Sequence, residues 1–480
     1  MTNPTPIYSA LQAYAQAANL RFHMPGHIGK MAILAPELDQ LSRLDLTEVI
    51  GLDDFHMPQG IIAASQQLLQ RAFHSAGSYY LVNGATSGIQ SLILSLCPEG
   101  DTLILPRNAH RSFFAALVLS GARPVYLPLQ YEPTTGIALA VCAAEVEKAW
   151  QKHPEARMAF LTSPSYYGTT CEIGKITETA AAMGRNILVD EAHGAHFSFH
   201  PAYPAPALQK GAGAVVQGMH KTLPVLNPGA CLHLGQNYPG DEAALEACIS
   251  LLSTTSPSYP LLASMERARH LMETVGEEYL DRALERSRRC IAGIDQIKGL
   301  WSLQGLMGQV SGVEAMDPLK VVVSVRETGL SGYQFARILR EEYAIQLELA
   351  EEHIILALFS LLHREKDWED FSAALQDIAL RYPGKKRILT EAEVPPLPAV
   401  ALTPRQAFNR PGRKMPFSQC SGWIAAEMLV PYPPGIPCVL PGEIITTESI
   451  AYIQHLAKNG AHIQGPRDAT LTYLRVIEPD

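Results

Sequence analysis

Residues 186–222 read NILVDEAHGAHFSFHPAYPAPALQKGAGAVVQGMHKT. An apolar run ends in an acid at Asp190, and a second run, AVVQG, leads into Met219, His220 and Lys221, so the lysine follows the acid by 31 residues. Short apolar runs without alternation are the pattern of strands buried on both faces of a parallel sheet. In such sheets ligands sit at the carboxyl ends of the strands. Asp190 and Lys221, on successive strand ends, are therefore expected to face one crevice.

Each residue alone has a plainer explanation. A single aspartate after a strand more often caps a helix or meets solvent, and a single lysine is nearly always a surface charge. The pair is more specific. A carboxylate at a strand end can hold the proton of a flat nitrogen heterocycle, and a lysine at the next can form an imine with an aldehyde.

Outward from this stretch, helical patterns alternate with apolar runs from about residue 60 to 235, as in a parallel sheet with helices on its faces. The expected strands are Thr102–Leu105, Pro124–Leu127, Met158–Thr162, Ile187–Asp190, Ala214–Gly218 and Cys231–Leu234. Helices are expected at Ser87–Leu96, Ser112–Leu119, Ala143–Lys152 and Ile176–Met183. A long helical pattern from Leu262 to Ile297 leads to a small α/β segment containing Val321–Val325, Tyr333–Glu342 and Ile354–Leu358. Glu391–Pro404 is proline-rich and aperiodic, as a linker is. The expected division is an N-terminal segment 1–60, a large domain 61–270, a small domain 271–390, a linker 391–404 and a C-terminal lobe 405–480.

Two further strand ends carry candidate groups. Asn83-Gly84-Ala85-Thr86-Ser87-Gly88 follows the run Tyr79–Val82, and a helix opening at Ser87 would offer free N–H groups and a positive dipole end to a phosphate. Glycine, serine and threonine also make ordinary turns. Pro106 to Ser112 follows the next strand and places His110 where it could stack on a flat ring, although a lone histidine is more often structural.

Composition narrows the function. The 480 residues are 47% hydrophobic and 18% charged, with a formal net charge of -9, which argues against a nucleic-acid partner. The eight cysteines are scattered without a C-x-x-C pair, as thiols in a reducing compartment are. No stretch of about 18 apolar residues is present, and the first residues lack a leader pattern. A soluble cytoplasmic protein with no membrane partner is the expectation. The cluster Asp190, Glu191, His193, His196 and His200 is dense enough to raise a metal site, but it lacks the spacing of a zinc pattern and would leave Lys221 without a role. No metal is expected.

The motifs as a set resemble the ornithine/lysine/arginine decarboxylase family, pyridoxal-phosphate enzymes of the aspartate-aminotransferase-like fold type I. The matching pieces are FHMPGH at Phe22–His27, DLTEVIGLDDFHMPQG at Asp45–Gly60, VNGATSG, RNAHRS, SPSYYG at Ser163–Gly168, VDEAHGAH, MHKTLP, TTSPSY at Thr254–Tyr259 and YPPGIPCVLPGE at Tyr432–Glu443. They stand in family order. The resemblance implies an α/β fold with a large, mostly parallel seven-stranded sheet, a small α/β domain and a C-terminal lobe. It implies that Lys221 is the Schiff-base lysine, Asp190 the partner of the pyridine nitrogen and His110 the ring-stacking histidine. His193 would lie near the imine or the ring hydroxyl, while Ala85, Thr86, Ser87 and His220 would hold the phosphate. Thr255 resembles a residue that reaches the phosphate of a neighbouring subunit, so a homodimer or dimer-based oligomer is implied. His27 and Glu427 are the substrate contacts implied by resemblance.

Two positions depart from the family pattern. Gly218 stands where the family usually has serine, and Ala85 where it usually has a hydroxyl residue, so weaker cofactor binding is expected. Relatives with an N-terminal wing domain are longer before FHMPGH, and the short form is expected here. The implied reaction is decarboxylation of a basic amino acid, arginine first and then lysine or ornithine. Transamination, aldol-type cleavage and a pyridoxal-phosphate-binding pseudoenzyme are the alternatives.

Overall fold

The computed structural model describes residues 3–17, 19–306, 310, 312–384, 394–432 and 435–479. Eight strands come first in the chain: β1 (Gly77–Leu81), β2 (Thr102–Pro106), β3 (Arg123–Leu127), β4 (Met158–Thr162), β5 (Thr169–Cys171), β6 (Asn186–Asp190), β7 (Ala214–Gln217) and β8 (Ala230–Leu234). All but β5 form a seven-stranded sheet in the order β1-β8-β7-β6-β4-β2-β3. The chain forms two compact units, residues 1–96 with 187–280 and residues 97–186 with 281–480.

Every residue of β7 and β8 is buried, as strands covered on both faces must be. Strand β6 pairs parallel with β7, and β2 pairs parallel with both β3 and β4. Strand β8 is what makes the sheet mostly rather than wholly parallel, as expected: it runs antiparallel to both β7 and β1. The cause lies in the connection. Residues 218–229 hold only a four-residue helix in place of the longer helix that usually crosses over between parallel neighbours. The sheet is thus mixed but mostly parallel.

In the first unit, helices α1 (Pro6–Gln16), α2 (Pro36–Leu44), α3 (Ile61–Ala72) and α4 (Gly84–Leu96) precede the active strand ends. Helix α1 is tied down by Glu266, whose carboxylate accepts the N–H groups of Ile7 at 3.0 Å and Tyr8 at 2.8 Å. Helix α4 opens at Gly84, three residues earlier than expected, because Gly84 takes φ +77, a left-handed conformation that glycine adopts without penalty. The second unit supplies α5 (Arg111–Ser120), α6 (Ala143–Lys152) and α7 (Ile173–Ala182). After β7 the chain continues through α8 (Met219–Thr222), α9 (Glu242–Leu252) and the long α10 (Tyr259–Ile294).

Beyond α10, strands β9 (Trp301–Ser302), β10 (Val313–Met316), β11 (Lys320–Ser324), β12 (Leu349–Ala350) and β13 (Ile354–Leu358) follow, with helices α11 (Gly332–Tyr343) and α12 (Glu365–Arg381). Four of them make the sheet β12-β13-β11-β9, while β10 pairs with β5. Residues 391–393 of the proline-rich stretch lie outside the described residues; Val400 bridges to Glu443, and Thr403 caps α13 (Pro404–Asn409).

The C-terminal lobe has its own core of Phe417, Leu429, Val439, Ile445, Ile453 and Val476. It is fastened by Arg107, which follows β2. The guanidinium makes a buried bidentate pair with Glu443, at 2.5 and 2.8 Å, and donates to the carbonyls of Pro437 and Cys438. Arg405 of α13 donates to the carbonyls of Val118 and Leu119 at the end of α5.

Candidate active site

In the first unit, β6 and β7 run side by side with Asp190 opposite Val216. Asp190 is 3% exposed. Its Oδ1 accepts the N–H of Ala192 at 3.1 Å. Burial pushes the carboxyl above its ordinary range, and Lys221 and the Ala192 N–H pull against that shift. Such a carboxylate gains from any cation brought beside it, and a protonated pyridine is one.

Lys221 does not stand directly at the strand end, as its sequence suggests. Strand β7 stops at Gln217, and Lys221 belongs to the turn of helix α8, where its N–H donates to Gly218 O at 3.0 Å. Its Nζ lies 3.1 Å from His193 Nε2. His193 and Lys221 therefore meet, and Asp190 is near enough to feel the Lys221 charge. Gly218 has a steric reason as well: a Cβ there would sit 3.0 Å from Ala192 O and 3.3 Å from Lys221 Cδ, so a serine side chain would crowd the lysine.

The expected phosphate loop is the first turn of α4. That turn holds no acidic residue, so its N–H groups and dipole remain available to an anion. Thr86 is exposed, whereas Ser87 is buried and its hydroxyl donates to Gly84 O at 2.9 Å. Binding a phosphate through Ser87 requires that hydroxyl to turn. His220 is tied to β8, with Nδ1 3.0 Å from Gly229 O. It would donate to a phosphate through Nε2 only as an imidazolium, and burial lowers its pKa, with Lys221 adding to the effect and the Gly229 bond opposing it. The buried Thr222 hydroxyl beside Lys221 has no partner in the described residues. A buried acid, a lysine, a donor-rich helix end and this hydroxyl suit a phosphorylated heteroaromatic aldehyde.

The TTSPSY segment lies near that loop within the same unit. The N–H of Thr254 donates to Asn83 Oδ1 at 3.1 Å, and His56 Nε2 lies 3.1 Å from Thr254 O. Thr255 itself is exposed. His27 belongs to the N-terminal segment's own network, with Nε2 3.1 Å from Asp45 Oδ2 and Nδ1 accepting from Gly29.

In the second unit, His110 caps α5, its Nδ1 3.2 Å from the N–H of Ser112 and 2.9 Å from the Ser112 hydroxyl. The imidazole is exposed and its orientation is set by that cap. Glu427 is buried, and its two oxygens accept the N–H groups of Arg467 and Arg475 at 3.3 and 3.0 Å, which fixes the carboxylate on the scaffold of the lobe.

The neighbouring histidines have structural surroundings. His196 packs against Phe197 and Tyr203, and His200 against Tyr203, its Nδ1 accepting from Ala202. Among the described residues no group of three or more His, Cys, Asp or Glu side chains is placed to hold a metal. No described helix is long and apolar enough to cross a membrane.

Sequence reading missed two side chains that the structure puts beside Asp190. Glu191 is 2% exposed and Gln217 1%, and they bond to each other. The available signal was the placing of a charge and an amide at the ends of two strands that are otherwise apolar.

Comparison with known proteins follows the same lines. The family model for the Orn/Lys/Arg decarboxylase major domain matches residues 5–367, and that for the C-terminal domain matches residues 385–468. The arginine decarboxylase of Bacillus subtilis is 34% identical over 99% of this chain and 98% of its own length. That of Bacillus anthracis is 33% identical over 99% of this chain and 97% of its own. Among solved structures, the lysine decarboxylase of Francisella novicida superposes with a TM-score of 0.84 at 20% identity, covering 99% of this chain and 81% of that one. The ureidoglycine-glyoxylate aminotransferase of Bacillus subtilis superposes over 68% of this chain and 87% of its own, with a TM-score of 0.54 at 14% identity.

Proposed function

Because the chain belongs to the ornithine/lysine/arginine decarboxylase family, we propose that it converts arginine to agmatine and CO2 with pyridoxal phosphate carried on Lys221. The observation that carries the reading is Lys221 Nζ at 3.1 Å from His193, in the turn after the strand next to Asp190. Arginine stands first because the arginine decarboxylase relatives are 32–35% identical, while the lysine decarboxylase relatives are 23–24% identical. Lysine and ornithine come behind it.

When bound, pyridoxal phosphate supplies an electron sink for the carbanion left as CO2 departs. Asp190 would hold the proton on the ring nitrogen, and its burial would make that charge pair strong. Lys221 would hold the cofactor aldehyde and, with His193, would carry a proton to the substrate Cα. The N–H groups of Ala85 and Thr86, with the hydroxyls of Thr86 and Ser87, would bind the phosphate, and the His220 ring would join them as an imidazolium. His110 would lie against the ring face, and His27 would stand at the substrate end. Thr255 reaches the phosphate of a second copy, so the working unit is a homodimer. A cytoplasmic enzyme of polyamine synthesis is the setting this implies, with the large domain, small domain and C-terminal lobe divided as the sequence divides them.

The test is a panel of arginine, lysine and ornithine with pyridoxal phosphate, read by CO2 and amine together. Equal CO2 and agmatine, with arginine fastest, is expected. A keto acid would identify a transaminase, and cofactor absorbance without turnover on any of the three would identify a binding protein.

A further inference from the structure

Glu191 takes no part in the reaction above, yet its carboxylate is among the most enclosed charges of the first unit. Its Oε1 accepts the N–H of Ala207 at 2.8 Å, and its Oε2 accepts Gln217 Nε2 at 2.7 Å. Gln217 closes β7, and Glu191 is the residue after β6, so the bond joins the two strands just where pairing would otherwise end. Main-chain bonds continue the join: Glu191 N donates to Val216 O at 2.9 Å, and Gly218 N to Ala192 O at 3.1 Å. The Glu191 side chain also fills the turn that presents His193. A Cβ on Gly194 would lie 2.6 Å from Glu191 Cγ, and Gly194 N donates to Glu191 O at 2.8 Å.

Three site residues leave this knot. Asp190 precedes Glu191, His193 rides on the turn around its side chain, and Lys221 follows Gln217 by four residues. We propose that Glu191 and Gln217 are positioning residues: their buried bond sets the spacing of the Asp190 and Lys221 strand ends and the aim of His193. The proposal rests on the assignment of Lys221 and Asp190 to the cofactor. Burial also pushes the Glu191 carboxyl up to about 7, while the Gln217 and Ala207 N–H donors pull against that shift.

The pair can be broken and remade. In Gln217→Glu two acids face each other across the 2.7 Å contact, so one must take a proton or both must part. In the swap Glu191→Gln with Gln217→Glu, an amide at 191 still accepts from Ala207 and donates to the acid at 217. Measured on the holoenzyme, Gln217→Glu should lower kcat by roughly ten- to a hundredfold, as a small misplacement of catalytic groups does, with KM changed much less. The circular dichroism of the bound cofactor should change with it. The swap should restore both to near wild-type values.

A Gln217→Glu enzyme with unchanged kcat and cofactor dichroism overturns the proposal, as does a swap that folds but stays as impaired as the single variant. Should Gln217→Glu fail to fold, a swap that folds with wild-type dichroism and kcat supports the mutual tie, and a swap that also fails to fold overturns it. Failure of the cofactor assignment is separable, because it would appear as wild-type enzyme without cofactor on Lys221.

Discussion

Replacing Asp190 with asparagine isolates the charge from the shape of the site. The amide keeps the same volume and can still accept the Ala192 N–H through Oδ1, the 3.1 Å contact that orients the side chain. What is lost is a carboxylate that is 3% exposed and would face the ring nitrogen. In a water-excluded setting such a charge-assisted contact is worth about 3–4 kcal/mol, which at 1.36 kcal/mol per factor of ten is roughly two to three powers of ten in kcat. The apo protein should behave in the opposite sense. Burial raises the Asp190 pKa, so the ionised carboxylate costs the folded state stability near pH 7, and Asp190→Asn should melt no lower than wild type. The assay pairs single-turnover CO2 release with thermal unfolding of apo enzyme. A kcat within threefold of wild type would refute the role given to the charge, and a large fall in apo melting temperature would show that Asp190 serves the fold instead.

Lys221→Ala should abolish turnover, and borohydride treatment of the cofactor-loaded variant should leave no pyridoxyl label on the chain; stoichiometric label at another lysine would contradict the assignment. Thr255→Ala should weaken both cofactor affinity and the tightening of the dimer by cofactor, by about 1–2 kcal/mol for a charge-assisted bond, read by sedimentation of apo and holo forms. His233 is fully buried against Phe73, Ser78 and Cys231, and burial holds its pKa down to about 3. Its folded pKa lies below the unfolded 6.5, so the stability it contributes is present above pH 6.5 and is lost as pH falls toward 3. Between pH 6.5 and 5 wild type should lose about 2 kcal/mol relative to His233→Gln in urea unfolding, and parallel pH curves for the two would contradict the burial argument.

The strand ends were legible because burial on both faces leaves a mark of local apolarity. Met158–Thr162 and Ile354–Leu358 come out as expected, and the other strands shift by a residue. The reversal of β8 was not legible, since Cys231–Leu234 reads the same in either direction and only the shortness of its connection betrays it. Asp190 and Lys221 stood out because their spacing follows the sheet, whereas His193 entered only through the family resemblance. Glu191 was passed over as one more polar residue of a dense motif. The anchoring of Glu427 was not legible, because its partners, the main-chain N–H groups of Arg467 and Arg475, lie 40 and 48 residues away and leave no periodic trace.

The pairing of Arg107 with Glu443 has a consequence for synthesis. The two residues are 336 positions apart, and the second unit as a whole begins at Cys97 and closes only at Asp480. At about 5–20 residues per second, a ribosome needs roughly 20–70 s to travel from one partner to the other. Throughout that interval the arginine has no carboxylate to meet it, and the strand it follows cannot receive its final cover. The first unit, whose last residue is Leu280, is fully translated long before. A stalled or truncated message would therefore yield a chain with one unit complete and the other open, an attractive client for chaperones and a poor candidate for survival among proteases.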